Sequence, residues 1–523
     1  MFAAGAFSEL PESDIKNTTF WGYVTSNLSV SRGFNIYAAT TEFTTQSTDT
    51  LASQPFFGTL AQPISFVRTL LGGTNLGTFT AGTGELDLTN TDGQYDFLIQ
   101  GLAIDGRNIS VKIGRPSDPY NNFYTVFSGT ASDWSVEEDL VKIFLIDNSY
   151  RLGVTLQPNL YGGTGGSDGG TDLFGKRKPR AFGYVNNVSP PCVVPASLIY
   201  QVHDGSVSAI TAVYDRGSVL TFSADYATYA LLAAATIAAG HYGTCLAQGY
   251  FRLNTAPTGT ITADVSGDNT GGVFASTSTD IVRRIVSTTG TVGDPSGLYL
   301  PSFISVLAAQ PAPIGYWVAP DSTNTIADAL ANIMGAIGGW AGFRRSGLLD
   351  VGIVYGPSGR IPNAMFDRTD IFEISRDPLP TSLSPPPYRQ RCAYQHNWTV
   401  QTDIAGSVGA TRTSFLAQAD RYSESVNTNV LLNHPFAIDQ TPVASYFLNQ
   451  SDAQAESDRL LALFSKNAAL YRFKVGYQPF ALDLGDVVNV TYPRWDLTVG
   501  KNLQVLEFTE DAQAGTIEMV GYG

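Results

Sequence analysis

The side chains best suited to acid–base, nucleophilic or metal chemistry are sparse in this 523-residue chain. There are four histidines, His203, His241, His396 and His434. No two stand at metal-ligand spacing. None lies in an HExxH pattern, which would put two imidazoles on one helix face. Cys192, Cys245 and Cys392 are odd in number and far apart, so neither a disulfide framework nor a four-thiolate site follows. They read as small buried hydrophobes in a chain made for a reducing compartment.

Carboxylates offer two groupings that glycoside hydrolysis or calcium could use. Glu137-Glu138-Asp139 has the pattern of a solvated turn. Asp87, Asp92 and Asp96 lie in a run that resembles a calcium loop. It has Asp92 where the sixth position needs glycine, however, and Leu98 where the twelfth needs glutamate. A pair of acids flanking a sugar has no further mark in sequence. The run Tyr161–Gly170 is rich in glycine but lacks the GxxxxGK[ST] spacing of a phosphate cradle. No GxSxG elbow occurs. Lys176-Arg-Lys-Pro-Arg180 is the densest basic cluster, readable as a solvated loop, a docking strip for an acidic neighbour, or a nucleic-acid contact. No residue is assigned to a catalytic, cofactor or metal site, and no enzyme activity is expected.

The composition points the same way. Only 15% of residues are charged, and the net charge is −15 with a pI near 4.7. A protein that binds nucleic acid draws its affinity from lysine and arginine on phosphate, so specific binding of this kind is not expected. A weakly charged, Ser-, Thr- and Gly-rich surface suits packing against neighbouring subunits, because interface cores are poor in Lys, Glu and Asp. The N-terminus lacks the basic stretch of a signal peptide. The longest apolar run, Tyr229 to Ala239, is too short for a membrane span. Synthesis in the cytoplasm as a soluble chain is the expectation.

Positioning falls to a mainly β (α+β) architecture. Alternating runs such as Leu86-Asp-Leu-Thr, Ile109–Ile113 and Leu140–Ile146 are separated by Gly, Asn, Asp and Pro turns and predict antiparallel hairpins. Residues 1–19 read as an arm, 20–155 as a first β-barrel and 156–194 as a Gly-rich and basic linker. An inserted α+β domain with its linker follows over 195–320, then a helix plus hairpin over 321–365 and a second β-barrel over 366–523. Asp225 is expected to cap a helix over Tyr226–Ala239. Ile326, Leu330, Ile333 and Ile337 fall on one helix face, with Ser322, Thr323 or Asn324 as cap. Ser451 and Gln454 form a capping box for a helix over 452–465. No internal repeat stands out.

Several of these runs occur together in an order that resembles the tail hub, or baseplate hub, proteins of long-tailed bacteriophages. Leu484-Gly-Asp-Val-Val488, Gly500-Lys501 with Val505-Leu506, and Gly515 to Val520 are similar to the strands that finish a hub barrel. Pro386–Tyr394 resembles the strand that opens the same domain. Gly84-Glu-Leu86 through Asp92-Gly93, Val111–Gly114, Val126-Phe-Ser-Gly129 and Val141-Lys-Ile143 resemble the first barrel. The matches cover about half of the chain, and 195–275 has no counterpart. The resemblance implies a virion protein of the tail tip, two barrels per chain, and a homotrimer presenting a pseudo-sixfold ring to the tail tube. It also implies partners: a distal tail protein, the tape-measure protein, and a central fibre or spike, with DNA passing through the lumen on ejection. The four-cysteine iron–sulfur site of some hubs does not carry over, because the ligands are missing. A distal tail ring would have one barrel. A glycan-binding tail protein would expose loop aromatics near Tyr226, Tyr229, Tyr242 and Tyr250.

Overall fold

The computed structural model describes residues 23–29, 35–72, 76–115, 117–466, 468–477 and 481–523. The arm expected over 1–19 lies outside them. The chain is mainly β. Its two expected barrels are replaced by one open 13-stranded sheet that takes strands from both ends of the sequence. The order runs Asn35–Ala39, Tyr23–Ser29, Arg107–Gly114, Tyr124–Val136, Leu140–Ile146, Thr80–Thr89, Leu60–Thr69, Lys501–Asp511, Thr516–Tyr522, Leu470–Gly476 and Ile371–Asp377. Neither half closes on itself among the described residues. The seam between the halves is antiparallel, from Thr69 opposite Glu507 to Ser65 opposite Asp511.

One strand makes that seam possible. Lys501–Gln504 pair with Val487–Val490, while Glu507–Asp511, on the same edge, pair with Leu60–Thr69. A bulge between Val505 and Glu507 separates the two stretches. A bulge bends a strand and re-aims its side chains, so one strand serves two neighbours. Inward positions are packed with Phe66, Phe127 and Phe508, and the Phe66 and Phe127 rings meet edge-on at 4.7 Å. Burying such a side chain is worth about 1.5–3 kcal/mol.

Local structure departs from expectation at identifiable residues. Thr91–Gly93 does turn the chain, but into a helix, Asp96–Gly101, and not into a hairpin. Pro387–Tyr394 joins a separate four-stranded sheet with Arg421–Val426, Ile438–Asp439 and Val443–Phe447. The strand that lies beside Leu470–Gly476 is instead Ile371–Asp377. The helix expected over 226–239 spans only Tyr229–Ala234, capped by Thr228. Asp225 accepts from the Thr244 hydroxyl and the Leu246 N–H. Arg252 ends the helix by donating to the carbonyls of Leu232, Ala233 and Ala235. Two helices lie in what reads as linker, Ser278–Thr288 and Leu300–Ala309. The capping box expected at Ser451 and Gln454 is absent; the Gln450–Phe464 helix has Asn449 as its cap residue, and Gln454 donates to the Glu424 carbonyl.

The helix Ile326–Gly335 forms on the expected face but is capped by Thr325, whose hydroxyl accepts from Asp328 N–H while the Asp328 carboxylate takes the Thr325 N–H. Replacing Thr325 with alanine is expected to cost about 1 kcal/mol in urea unfolding, and an unchanged midpoint would show that the cap is dispensable.

Residues 192–268 hold an internal duplication that their sequence does not advertise. Cys192–Val194, a 3₁₀ turn, the left-handed Leu198 and Ile199–Gln201 repeat as His241–Cys245, a 3₁₀ turn, the left-handed Gly249 and Tyr250–Leu253. The copies pair antiparallel with Tyr200 opposite Phe251, and those rings stack at 5.1 Å. Each copy runs on into a long strand, Val207–Asp215 or Ile261–Asp268, and these also pair with each other. The longest shared run in those strands is Ile-Thr-Ala, at 210–212 and at 261–263. Glycine is required at 249 by its positive φ and by backbone: a Cβ there would stand 2.3 Å from the His203 carbonyl oxygen.

Candidate functional site

The structure disperses the residues that could have formed a chemical centre. His203 is fully buried; its Nδ1 accepts from the Ala181 N–H at 2.9 Å, and its Nε2 lies 3.2 Å from Asp268 Oδ2. Burial holds the imidazole below its ordinary pKa, so it is a neutral structural group. Burial alone would raise Asp268, but His203, the Thr270 N–H and Arg284 outweigh it and keep the carboxylate ionised. His396 bonds Asp420 at 2.7 Å beside Trp398. His241 Nδ1 meets the Ala239 carbonyl at 2.9 Å, and His434 ends the short helix Val430–Asn433. Among the described residues no group of His, Cys, Asp and Glu is arranged to hold a metal ion.

The acidic and basic runs are likewise structural. Asp92 accepts from the Gln94 N–H and Asp96 from the Asn90 side chain, while burial raises Asp87. Glu137 pairs with Lys142 at 2.9 Å across a turn, as expected. In the basic cluster, Arg177 donates to the Gln157 carbonyl, Lys178 stands over Tyr161, and Arg180 is buried over Phe182 beside Asp268. Three of its four bases are thus tied into the fold. Cys245 and Cys392 are buried, Cys192 is half-buried, and burial pushes the Cys392 thiol up to about 11. Tyr242 and Tyr250 are buried and Tyr226 and Tyr229 half-buried. None of these four tyrosines is fully exposed.

Sequence reading missed the densest charge cluster, which lies under the seam of the large sheet. Arg68 pairs with Asp483 and stands 3.7 Å from Glu510. Arg345 grips Glu510 with two nitrogens, at 2.7 and 3.3 Å, and donates to the Leu482 carbonyl. Arg344 lies 3.2 Å from Asp483 and 3.1 Å from Asp350. Arg68, Asp483, Glu510 and Arg345 are at most 6% exposed. Burial alone would raise Asp483, but the three guanidiniums hold it well below the usual carboxylate range. The Phe508 ring lies under two of those guanidiniums, 5.6 Å from Arg68 and 5.9 Å from Arg345. The cluster joins four segments: the Leu60–Thr69 strand, the Gly339–Ile353 hairpin at its turn, the 481–486 loop, and the Lys501–Asp511 strand.

Two cavities share Trp340 in their walls, and the smaller adjoins this cluster. One of about 870 Å³ is lined mostly by apolar groups, among them Phe79, Leu330, Val443 and Phe464. The other, of about 390 Å³, is lined by Tyr299, Ser302, Arg344, Asp350, Tyr355 and Asp486. No helix among the described residues is long and apolar enough to cross a membrane.

No protein-family model matches the chain, and no curated protein does. Among solved structures, it is similar to a tail protein from Neisseria meningitidis MC58, at 9% identity over 96% of each chain with a TM-score of 0.40. It is also similar to the 43 kDa tail protein of prophage MuSo2 from Shewanella oneidensis, at 10% identity over 90% of this chain and 94% of that one, TM-score 0.36. A chain of a native gene transfer agent virion particle matches at 16% identity over 66% of this chain and 84% of that one, TM-score 0.42.

Proposed function

We propose that the chain is a structural virion subunit of the tail tip of a long-tailed bacteriophage, and not an enzyme. It is a hub that closes the tail tube and links it to the central fibre or spike and to the tape-measure end. The observation that carries this reading is the open face of the large sheet. Cross-strand register aligns Asp133, Glu85 and Asp511 in one row, through Phe144 and Ser65. A second row runs through Glu518, Lys474 and Glu373. Asp87 faces Lys142, and Arg472 gathers Asp377, Glu507 and Glu518. Seven carboxylates (Glu85, Asp133, Asp511, Glu507, Glu518, Glu373, Asp377), with Asp87 buried behind them, thus meet three cations (Lys142, Lys474, Arg472). A net-negative wall spread over both halves of the sheet repels a polyanion and lets DNA slide without adhering.

The motif resemblance supports the hub identity. Three such chains in a closed heterologous ring offer six half-sheets to a hexameric tube. Immunogold labelling of mature tails tests the placement: label at the distal tip is expected, and label elsewhere, or none, sinks it. Native mass spectrometry with negative-stain imaging tests the ring. A trimer with a sixfold outline is expected, and a hexamer moves the assignment to a distal tail ring. Glu85→Lys, Asp133→Lys and Asp511→Lys together would replace repulsion with attraction for phosphate, and roughly a tenfold loss of DNA delivery from normally assembled tails is expected. Unchanged delivery would show that this face does not line the conduit.

A further inference from the structure

The 390 Å³ cavity beside the buried cluster has chemistry that neither the fold nor the tail reading uses. Across the cluster, Arg68, Arg344 and Arg345 face Asp350, Asp483, Asp486 and Glu510, so the carboxylates exceed the guanidiniums by one. The two carboxylates on the cavity wall are Asp350 and Asp486. Asp350 Oδ2 takes Arg344 at 3.1 Å, and Asp486 Oδ2 takes the Asp483 N–H at 2.8 Å. Arg344 stacks on Tyr299, 3.9 Å from its ring centroid, and is engaged by Asp350 and Asp483. Arg360, at the wall, is exposed and stacks on Tyr355, so its charge is solvated.

A second feature is independent of the charge. The Trp340 side chain is 4% exposed, and its Nε1 has no hydrogen-bond partner. The Nε1 edge of the indole lies against Gly352, where a Cβ would come within 2.7 Å of the nitrogen, and the ring approaches Gly485. Both glycines line the same cavity. A buried donor left without an acceptor costs about 1–3 kcal/mol, so this N–H calls for an acceptor brought from outside.

We infer that this cavity binds the cationic end of a molecule that also carries a hydrogen-bond acceptor, an ammonium or guanidinium seated between Asp350 and Asp486 with the acceptor on Trp340 Nε1. The cation restores the charge balance of the cluster, and the acceptor satisfies the indole. Burial pushes both carboxyls up to about 6, with Arg344 opposing, so they are ionised and receptive above that pH and neutral below it. The same chemistry could come from a free amine or from a basic side chain of a neighbouring subunit. The inference does not depend on the tail-tip reading.

Calorimetric titration of the full chain with agmatine and L-arginine, and with neutral n-butylurea as control, tests this. One saturable site per chain is expected at pH 8 for the cations alone, weakened at least about tenfold at pH 5 as the carboxylates take up protons. Trp340→Phe keeps the shape and removes the donor. It should weaken L-arginine, which carries an acceptor, more than agmatine, which carries none. The Asp350→Asn/Asp486→Asn variant, folded by circular dichroism, should lose the site. If that variant also shifts the native oligomeric mass, the occupant is a neighbour's side chain; if the mass holds while probe binding is lost, it is a free molecule. No saturable binding at millimolar probe at pH 8, or equal binding by the double variant, overturns the inference.

Discussion

Glu510→Ala is expected to lower unfolding free energy by about 3–5 kcal/mol, because it leaves Arg345 buried without its main anion and deprives Arg68 of a second one. Arg345→Ala should cost a similar amount from the other side. The pair itself need not be net stabilising: desolvating two charges offsets much of their attraction, and a matched apolar pair can do as well. A double-mutant cycle read by urea unfolding separates the two statements. The single variants should each be severely destabilised, and the double variant should lose clearly less than their sum. Additive losses would mean that the two groups do not act on each other.

Asp350→Asn is expected to act in the opposite direction. Burial raises this carboxyl from about 4 to about 6 despite Arg344, so the folded state binds its proton more tightly than the unfolded chain does. That preference favours the fold fully below about pH 4 and is lost as pH rises through about 6. Each tenfold difference in proton affinity is worth about 1.4 kcal/mol, so ionised Asp350 carries a penalty of about 3 kcal/mol above pH 6. Asparagine removes the charge and keeps the shape. The variant should therefore be more stable than the parent at pH 8 and nearly equal to it at pH 4. Asp483 has the reverse sign: its pKa is depressed, so its contribution is present above the ordinary carboxylate range and lost as pH falls. A variant no more stable at pH 8, with the pH dependence unchanged, would refute the assignment to Asp350.

What was legible in the sequence was local. Gly485-Asp486 and Gly500 punctuate the strands Val487–Val490 and Lys501–Asp511 as expected, and the period through Ile326, Leu330 and Ile333 marks a true helix. Partner choice was not legible, because any alternating strand suits any other. The seam between Leu60–Thr69 and Lys501–Asp511 is fixed by which side chains fill the space beneath it. One signal was nevertheless present. Arg68 falls in the inward phase of Phe66-Val-Arg68-Thr-Leu70, and Glu510 in that of Phe508-Thr-Glu510. A charge in the apolar register of a strand points to a buried partner of opposite sign. The helix over 226–239 was overextended because alanine-rich runs favour helix, while the residue that stops it, Arg252, lies on another strand.

The seam also imposes an order of events. Thr69 and Glu507 are more than four hundred residues apart in the chain. At about 5–20 residues per second, the ribosome delivers the second strand roughly 20–90 seconds after the first. Throughout that interval the edge of Leu60–Thr69 that will receive it has no partner from its own chain. A chain released before residue 501 keeps that edge open, and an open edge invites aggregation and proteolysis. Closure of the sheet is thus tied to the end of synthesis: a chain stopped before residue 501 lacks Lys501–Asp511 and Thr516–Tyr522, the two strands that join its halves.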